Sequence, residues 1–553
     1  MKKLIVIVFM LNLNLICLLA QVNQEWAVYY DGSKSFDEPS GMLVDASGNI
    51  YVTGTSNGIN YQDYLTIKYN NSGATQWIQR YNGPGNNDDV PEAIALDGSG
   101  NVYVTGGSTQ SNSRMEFNTI KYSSSGVQLW LNTFGGTDIS LGDYATSIAV
   151  YGSGIVYITG TTYNTGTSFD ITTIKYNSLG TQQWVQNKNG PDNIDDMPSA
   201  LVTDNAGNVY VTGYISNGFN NFYDYSTTKY NSNGDELWSQ YYNGTFDGWD
   251  QGVAIAVDNT GNSYVTGVSR GVGSDYDIVT IKYSPAGAPL WIKRYDGYFG
   301  WEAGNSILVD DSSNVYVSGG SAGVSTGNDF VTIKYNSVGG RDINANILWT
   351  RTYPTTNVFA VNESVLILDS AYNIYVTANV DSNNFTRYGA IKYDNNGNQL
   401  FLVNYYYSNI RINYVYDMKI DKNGNLYLTG ASQGIGTYYD YATVKYSPIM
   451  TFISENNQTP LKYNLSQNYP NPFNPTTNLE FGISELGFVS LKIYNALGNE
   501  VATIVNERLA PGRYKYQFSA FNYHLSSGIY YYRLSATGGS GNFSEVRKMI
   551  LLK

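Results

Sequence analysis

One unit of about 53 residues recurs eight times between residues 25 and 448, and this repetition limits the possible folds more than any other feature. Each unit carries an aromatic residue that opens a short strand, then a G-N-x-Y-V-T-G segment, then a T-I-K-Y segment, all with variants. The tyrosine of the second segment is present in all eight copies: Tyr51, Tyr103, Tyr157, Tyr210, Tyr264, Tyr316, Tyr375 and Tyr427. Such repeats are stable only when neighbouring units bury one another's apolar faces.

Four short strands fit within each unit. Residues 77–126, for example, contain WIQRYNG, VPEAIALD, NVYVTGGS and FNTIKYSS, separated by turn residues. The D-x-x-G-N segments suit tight hairpins that need positive φ, and the repeats show no helical periodicity. The pattern predicts an all-β fold, an eight-bladed β-propeller with four-stranded blades.

The order of the strands leaves two ways to close the ring. Each blade could use four consecutive strands, or the strand around Trp26 could complete the last blade beside residues 440–446. We favour the second arrangement, because backbone pairing would then tie the two ends of the propeller together.

A different module follows the repeats. Residues 449–466 are predicted to be a linker, and residues 467–553 contain several segments of alternating polarity after a proline-rich start at 468–475. About six or seven strands in this short region predict a small immunoglobulin-like β-sandwich.

The amino terminus predicts a secretory signal peptide. Lys2 and Lys3 precede an apolar run that stops at Ala20. We expect residues 1–20 to be removed between Ala20 and Gln21, which leaves a propeller at 21–448. Removal would also take away Cys17, the one cysteine, so disulfides and cysteine-bound metals are excluded.

The charge and the histidine content exclude several further functions. Lys+Arg total 32 against 45 Asp+Glu, so a broad basic face for nucleic acid is not expected. The one histidine, His524, lies in the C-terminal module, so the propeller has none for a serine triad or a histidine metal site.

Two resemblances to known families follow from these motifs. The D-x-x-G-N-x-Y-V-T-G and D-x-x-T-I-K-Y patterns over about residues 25–448 resemble the bacterial β-propeller repeat family, whose members are usually described as seven-bladed. The last module closely resembles the type A C-terminal sorting domain of type IX (Por) secretion substrates. The matching residues are Asn468–Pro475, Leu497-Gly498, Ser527–Tyr530, Arg533-Leu534 and the basic end from Arg547 to Lys553.

The second resemblance implies a route and a location. It implies export to the periplasm, passage across the outer membrane of a Gram-negative bacterium, and a mature product that is secreted or held at the cell surface. The type IX machinery is then a partner through residues 467–553, and no transmembrane segment is expected in the mature chain.

An acidic residue recurs six positions before the T-I-K-Y tyrosine. Equivalent positions of a ring lie on one circle, so these carboxylates could form a collar that holds cations or amines. Capping of a turn is the structural alternative and is favoured. The collar residues are Asp63, Glu116, Asp170, Asp224, Asp277, Asp329 and Asp440, with Arg387 in the seventh unit. The lysine before each T-I-K-Y tyrosine is expected to pair with a carboxylate.

Tyrosines outside the repeated motifs are candidates for a binding rim. The motif tyrosines are expected to pack between blades. The irregular clusters include Tyr223, Tyr225, Tyr405, Tyr406, Tyr438 and Tyr439. We expect no cofactor. The segments at Asp394 and Asp421 are similar to calcium loops but lack the downstream glutamate, so calcium remains a secondary interpretation beside ordinary turns.

Together these patterns predict an exported propeller that acts as a binding or scaffold module for glycan or protein. The alternative is a polysaccharide-active hydrolase or lyase that uses carboxylates on one face of the propeller. The regularity of the repeats disfavours catalysis, because active sites normally break symmetry at a few positions.

Overall fold

The computed structural model describes residues 22–32, 36–58, 61–138, 140–217, 222–246, 248–271, 276–297, 300–323, 327–337, 347–353, 364–382, 385–405, 413–434, 438–448, 460, 462–474, 476–509, 511–520, 525–538 and 541–552. The described residues contain strands and turns but no helix, and so no helix that could span a membrane. Two compact units divide the chain, one of residues 24–447 and one that includes residues 448–553. The predicted signal peptide and its processing residues, Ala20 and Gln21, lie outside the described residues.

The first unit begins with strand β1 (Val22–Tyr30), which is followed by seven antiparallel sheets of four consecutive strands each. Sheets 1 to 4 consist of β2 (Asp37–Val44), β3 (Ile50–Asn57), β4 (Gln62–Tyr69), β5 (Thr75–Tyr81); β6 (Asp89–Leu96), β7 (Val102–Thr109), β8 (Met115–Tyr122), β9 (Gln128–Phe134); β10 (Tyr144–Tyr151), β11 (Ile155–Asn164), β12 (Ser168–Tyr176), β13 (Gln182–Lys188); and β14 (Met197–Thr203), β15 (Val209–Ser216), β16 (Tyr223–Tyr230), β17 (Glu236–Tyr242). Sheets 5 to 7 consist of β18 (Asp250–Val257), β19 (Ser263–Ser269), β20 (Asp277–Tyr283), β21 (Pro289–Tyr295); β22 (Ala303–Val309), β23 (Val315–Gly323), β24 (Gly327–Tyr335), β25 (Ile347–Tyr353); and β26 (Leu366–Leu368), β27 (Ile374–Ser382), β28 (Phe385–Tyr393), β29 (Gln399–Tyr405).

Sheet 8 combines the two ends of the repeat region. It contains β30 (Asn413–Ile420), β31 (Leu426–Gln433) and β32 (Tyr439–Pro448), and β1 completes it as the outermost strand in the order β1-β32-β31-β30. The strand that contains Trp26 therefore closes the last sheet, as in the favoured arrangement. Sheet 8 also contacts sheet 1, because the backbone N–H of Met42 donates to Asp417 Oδ2 at 2.8 Å.

Within the residues that the structure describes, a repeated clamp of one tryptophan and one lysine holds six of the sheets to the next. At the closure, Trp26 Nε1 and Lys445 Nζ both donate to the carbonyl oxygen of Asn71, at 3.1 and 3.4 Å. The two donors come from opposite ends of the repeat region, and the acceptor lies in the outer hairpin of sheet 1. Equivalent pairs are Trp77 with Lys68, Trp130 with Lys121, Trp184 with Lys175, Trp238 with Lys229, and Trp349 with Lys334.

These contacts revise the lysine prediction. Within the described part of the chain, four of the eight lysines have a carboxylate within 4.0 Å, namely Lys121, Lys229, Lys392 and Lys445. The more general partner is the neighbouring sheet's carbonyl, together with the ring of the lysine's own repeat tyrosine. Lys121 Nζ, for example, lies 4.9 Å from the centre of the Tyr103 ring.

The propeller core lies between successive sheets. Tyr103 is fully buried, and its ring centre lies 5.9 Å from that of Trp130. Its hydroxyl donates to Asp97 Oδ2 at 2.9 Å, so the polar end of the buried ring is satisfied. The large, rigid motif residues thus fill the space between the sheets, as their repetition predicts.

The second unit contains two sheets, in the orders β33-β34-β37 and β36-β35-β38-β39. Their strands are β33 (Asn464–Leu465), β34 (Thr476–Ile483), β35 (Gly487–Asn495), β36 (Glu500–Leu509), β37 (Gly512–Ser519), β38 (Gly528–Gly538) and β39 (Gly541–Leu551). Leu491, Ile493 and Tyr532 are fully buried in one shared core, and Leu465 of β33 joins it. The predicted all-β chain of four-stranded propeller sheets followed by a sandwich is confirmed.

Candidate functional site

The collar acids all lie at one end of the propeller, which we call the upper face and define as the end where the innermost strands begin. Each acid stands near the start of the third strand of its sheet. Asp63 pairs in register with Ser56, and Asp277 pairs with Ser269. Five collar acids are buried, while Glu116 and Asp329 are half-buried. Burial favours a structural role, although three of these carboxylates have side-chain partners rather than the backbone N–H groups of a turn.

Partners within the propeller engage these carboxylates. Arg80 Nη1 donates to Asp63 Oδ2 at 2.8 Å, and Arg294 Nη1 donates to Asp277 Oδ2 at 2.5 Å. Asp170 Oδ2 accepts hydrogen bonds from Asn164 Nδ2 at 2.9 Å and from Thr167 Oγ1 at 2.8 Å.

A second set of acids, which the repeated motifs do not include, stands at or just before the start of the innermost strands. Asp89 is fully buried, and its two oxygens accept the N–H groups of Gly83 at 2.6 Å and Thr109 at 2.9 Å. These bonds fasten the connection between sheets 1 and 2 to the end of β7. The equivalent residues are Asp37, Asp143, Asp196, Asp250 and Glu302. A glycine five or six residues before most of these acids was the sequence signal that could have revealed them.

The two sets of acids meet at the sheet junctions. Carboxylate oxygens of Asp277 in sheet 5 and Glu302 in sheet 6 lie within 4.8 Å of each other. Burial, with the neighbouring carboxylate as a smaller cause, raises the pKa of Glu302 to about 7. In the same way, burial and then Asp170 and Asp195 raise the pKa of Asp196 to about 7. Asp196 and Glu302 are therefore only partly ionised at neutral pH.

The junction between sheets 7 and 8 lacks both acids. Arg387 occupies the collar position, and Asn413 occupies the position of the second acid. Asn413 is buried, and its Oδ1 accepts a hydrogen bond from Ser432 Oγ at 2.5 Å. The joint replacement indicates that the two positions form one structural unit.

A central cavity of about 430 Å³ opens between the innermost strands. These strands share a β-bulge at one level, and the bulged residue differs from sheet to sheet. Five bulge residues line the cavity: Ser40, Glu92, Val253, Asn305 and Tyr416. The innermost strands of the propeller therefore break its symmetry at the channel.

Two carboxylates face this channel. Glu38 is half-buried, whereas Glu92 remains accessible to solvent inside the cavity walls. Burial raises the pKa of both carboxyl groups. Neither side chain has a hydrogen bond or an ion pair with any residue that the structure describes. The sequence pattern had given no reason to select them.

An aromatic cluster lies on the upper face between sheets 4 and 5. The ring of Tyr223 lies 4.5 Å from that of Tyr214 and 5.9 Å from that of Trp249, measured between ring centres. Trp249 is 45% exposed. This cluster therefore presents a partly exposed aromatic surface next to the channel.

A second aromatic cluster lies between sheets 8 and 1. Phe36 stacks on Tyr438 with ring centres 4.9 Å apart, and Tyr439 lies 5.6 Å from Phe36. Phe36 and Tyr438 are exposed. The two clusters stand four sheets apart around the propeller.

Not all predicted rim tyrosines reach the surface. Tyr225 is fully buried and packs against Tyr242, with ring centres 5.5 Å apart. Tyr405 is 4% exposed and packs against Tyr388. Both residues are core residues rather than rim residues. Tyr225 points to the same side of β16 as Tyr223 but lies further from the strand end, in the core between sheets 4 and 5. Tyr406 lies outside the described residues.

The loops that are similar to calcium sites are hydrogen-bonded turns. Asp421 Oδ1 accepts the N–H groups of Asn423 and Asn425, and its Oδ2 accepts the Asn425 side chain at 2.8 Å. Asp394 makes the same bonds within its own turn. Both oxygens of each carboxylate therefore serve the turn.

Comparisons with known proteins identify both parts of the chain. Residues 467–551 match the secretion system C-terminal sorting domain, and residues 25–62 and 76–112 match the beta-propeller repeat. No curated protein matches the chain significantly.

Several solved structures are similar to this chain at low identity. PorZ, described as an essential bacterial surface component of the type-IX secretion system of Porphyromonas gingivalis, is 12% identical with a TM-score of 0.39, over 91% of this chain and 68% of that chain. Sqt1 from Chaetomium thermophilum is 9% identical with a TM-score of 0.45, and polysaccharide lyase Uly1 is 9% identical with a TM-score of 0.38. Both cover 78% of this chain and 100% of the other. These similarities carry no argument about activity.

Proposed function

We propose that this protein, a β-propeller exported to the cell surface or beyond by its type IX secretion C-terminal sorting domain, binds an extracellular glycan through its upper face. One observation carries the proposal: the partly exposed Trp249 lies in a cluster with Tyr214 and Tyr223.

The chemistry of this cluster suits a sugar. Aromatic side chains offer a rigid apolar face on which the C–H groups of a pyranose ring can pack, and tyrosine hydroxyls supply hydrogen bonds at the edge. The cluster is ordered by ring contacts within it, so little side-chain entropy is lost on binding.

The second cluster, of Phe36, Tyr438 and Tyr439, favours a polymer over a monosaccharide. A single sugar would use one cluster, whereas an extended chain can cross the upper face and contact both. Two weak contacts on one ligand reinforce each other through effective concentration.

Affinity gel electrophoresis of the purified full-length chain tests the proposal. Native gels would contain laminarin, xylan, dextran or carboxymethyl cellulose. We expect at least one polysaccharide to retard the protein and Trp249→Ala to weaken that retardation by about tenfold, a loss of about 1.4 kcal/mol.

The matched control is Tyr241→Ala, which removes a 46% exposed ring on the outer strand β17, away from both clusters. It should bind as the unaltered chain does. Absence of retardation by every polysaccharide, or equal losses in the two variants, would contradict glycan binding and favour a protein partner or a scaffold role.

The hydrolase or lyase alternative has less support. Arg80 and Arg294 engage two collar carboxylates, and Asn164 and Thr167 engage a third, so these groups are poor candidates for a general acid or base. To test this alternative, the same polysaccharides would be incubated with the protein. Release of reducing ends would indicate a hydrolase, and release of unsaturated products would indicate a lyase.

A further inference from the structure

The central channel contains two carboxylates that the proposed glycan site does not use. Glu38 and Glu92 come from the innermost strands of the adjacent sheets 1 and 2 and line one cavity. Among the residues that the structure describes, no lysine, arginine or histidine lines that cavity. Two carboxylates thus line one open cavity without a positive partner among the described residues.

The remaining wall is uncharged and partly apolar. Val253 and Val365 contribute aliphatic surface, and Asn305 contributes an amide. The channel therefore has an acidic sector on one side and a neutral sector on the other. A ligand complementary to both sectors has a positive group joined to an aliphatic stem.

Aromatic rings stand at the acidic end. Tyr416 lines the cavity, and Tyr439 lies near Glu38: burial, then Tyr414 and then the Glu38 carboxylate raise the pKa of the Tyr439 hydroxyl. Carboxylates combined with aromatic faces attract organic cations through charge and through the ring quadrupole.

We propose that the channel binds a small organic cation, an ammonium or guanidinium group on an aliphatic stem, whose charge lies between Glu38 and Glu92. The cavity of about 430 Å³ has a size typical of small-ligand sites.

The wall fits an organic cation better than a metal ion. Calcium takes six to eight oxygen ligands, whereas an ammonium needs only three acceptors. The hydroxyl of Ser40 is already used, because it donates to the carbonyl of Pro91 at 2.6 Å. The valines opposite offer no ligand atoms.

The glutamate at the bulge is specific to one sheet. The same bulge position holds serine, valine, asparagine or tyrosine in other sheets, so the backbone does not require an acid there. The bulge recurs from sheet to sheet, but among the described bulges the negative charge of Glu92 is found at this position only in sheet 2.

Isothermal titration calorimetry of the full-length chain tests the site with putrescine and agmatine as probes, at pH 7.5 and low salt. We expect both to bind, and the uncharged 1,4-butanediol not to bind. Glu38→Gln and Glu92→Gln should each weaken binding by about tenfold, and the double variant should abolish it.

The control is Glu236→Gln, which removes the same charge from the outer strand β17, where Glu236 pairs with Lys188 at 3.0 Å. This variant should retain full affinity. Circular dichroism of all variants verifies the fold, and the carboxamides preserve the shape of the side chains.

Three results would overturn the proposal. They are no heat with either amine, equal losses in the control and in the channel variants, or calcium chloride competing with putrescine at equal concentration, which would indicate a metal site. Trp249→Ala should leave amine binding unchanged, so failure of this site and failure of glycan binding are distinguishable.

Discussion

The hairpins and the channel bulges differ in how well their side chains repeat from unit to unit. The hairpins lie on the lower face, opposite the upper face. In the hairpin at Asp45, the carboxylate accepts hydrogen bonds from the N–H groups of Ser47 and Asn49, from the Asn49 side chain and from Tyr51. Nearly every unit keeps this arrangement. At the bulges the backbone is equally regular, but the side chain changes from Ser40 to Glu92 and onward around the ring.

Hydrogen-bond demand explains the difference. A side chain that satisfies several buried partners cannot change without leaving them unpaired, which costs about 1–3 kcal/mol for each group. At the bulges that the structure describes, no side-chain partner is shared by every sheet, so the residue type varies around the ring. Residues that repeat in every unit therefore serve packing. Residues that vary at an equivalent backbone position are the better candidates for function.

The largest effect should come from the repeated clamp. Trp238 is 9% exposed, and its Nε1 donates to the carbonyl of Pro285 at 3.1 Å. Trp238→Ala should lower the free energy of unfolding by about 3–5 kcal/mol. The exposed Trp249, changed to alanine, should cost about 1 kcal/mol or less. Urea denaturation measures the free energy of unfolding of both variants. Equal losses would contradict the distinction between repeated packing residues and exposed surface residues.

A smaller effect is expected from a collar ion pair. Arg80→Met leaves the buried carboxylate of Asp63 without its guanidinium and should cost about 2–4 kcal/mol. Lys188→Met removes the exposed pair with Glu236 and should cost below about 1 kcal/mol. If urea denaturation gave the reverse order, the collar would have to be reinterpreted as a ligand site rather than a structural one.

The pH dependence of stability should reflect the second set of acids. Burial raises the pKa of Asp196 from 3.8 to about 7, so the unfolded chain loses this proton at lower pH than the folded chain does. Stability from this group is present at low pH and is lost as the pH rises through about 7. In Asp196→Asn, the fall in the free energy of unfolding between pH 5 and pH 8 should be smaller by about 1–3 kcal/mol.

Asp97→Asn is the control for this pH effect. Burial alone would raise the pKa of Asp97, but hydrogen bonds from Asn101 and Tyr103 bring it below its ordinary value. Asp97 is thus ionised at both pH values, and its replacement should lower stability without changing the dependence between pH 5 and pH 8. Parallel urea titrations at the two pH values decide the outcome, and an unchanged slope in Asp196→Asn would contradict the assignment.

The smallest effect is expected at the channel. Val253→Thr places a hydroxyl in the cavity, where water can solvate it, and should change the free energy of unfolding by less than about 0.5 kcal/mol. Val265→Thr places the same hydroxyl in the fully buried core between sheets 4 and 5 and should cost about 1–3 kcal/mol. Thermal unfolding compares the two, and a large loss at Val253 would show that packing also fixes the channel residues.

The fold could be predicted from the sequence because its main contacts repeat. Trp130, Tyr103 and Lys121 recur at fixed spacing, and their contacts lie within one sheet or between neighbouring sheets. The sorting domain was accessible for a different reason, since its motifs at Asn468–Pro475 and at the basic C-terminal end form a recognisable local pattern.

The candidate sites were harder to predict from the sequence. Asp89 escaped notice because its importance comes from two backbone partners, Gly83 and Thr109, that lie 6 and 20 positions away. Tyr223 and Tyr225 look equivalent in the sequence, yet one lies in a surface cluster and the other in the core.

The sequence by itself determined the four-stranded repeat and the export route, because each depends on local or strictly periodic patterns. It left two ways to close the ring, and the tertiary structure decided that the strand at Trp26 completes sheet 8. Only the tertiary structure decided that Glu38 and Glu92 share a cavity with Val253 and Asn305, because the channel brings together residues from sheets far apart in the chain. Periodicity fixes which strand lies innermost, but the chemistry of a cavity depends on side chains that no repeat constrains.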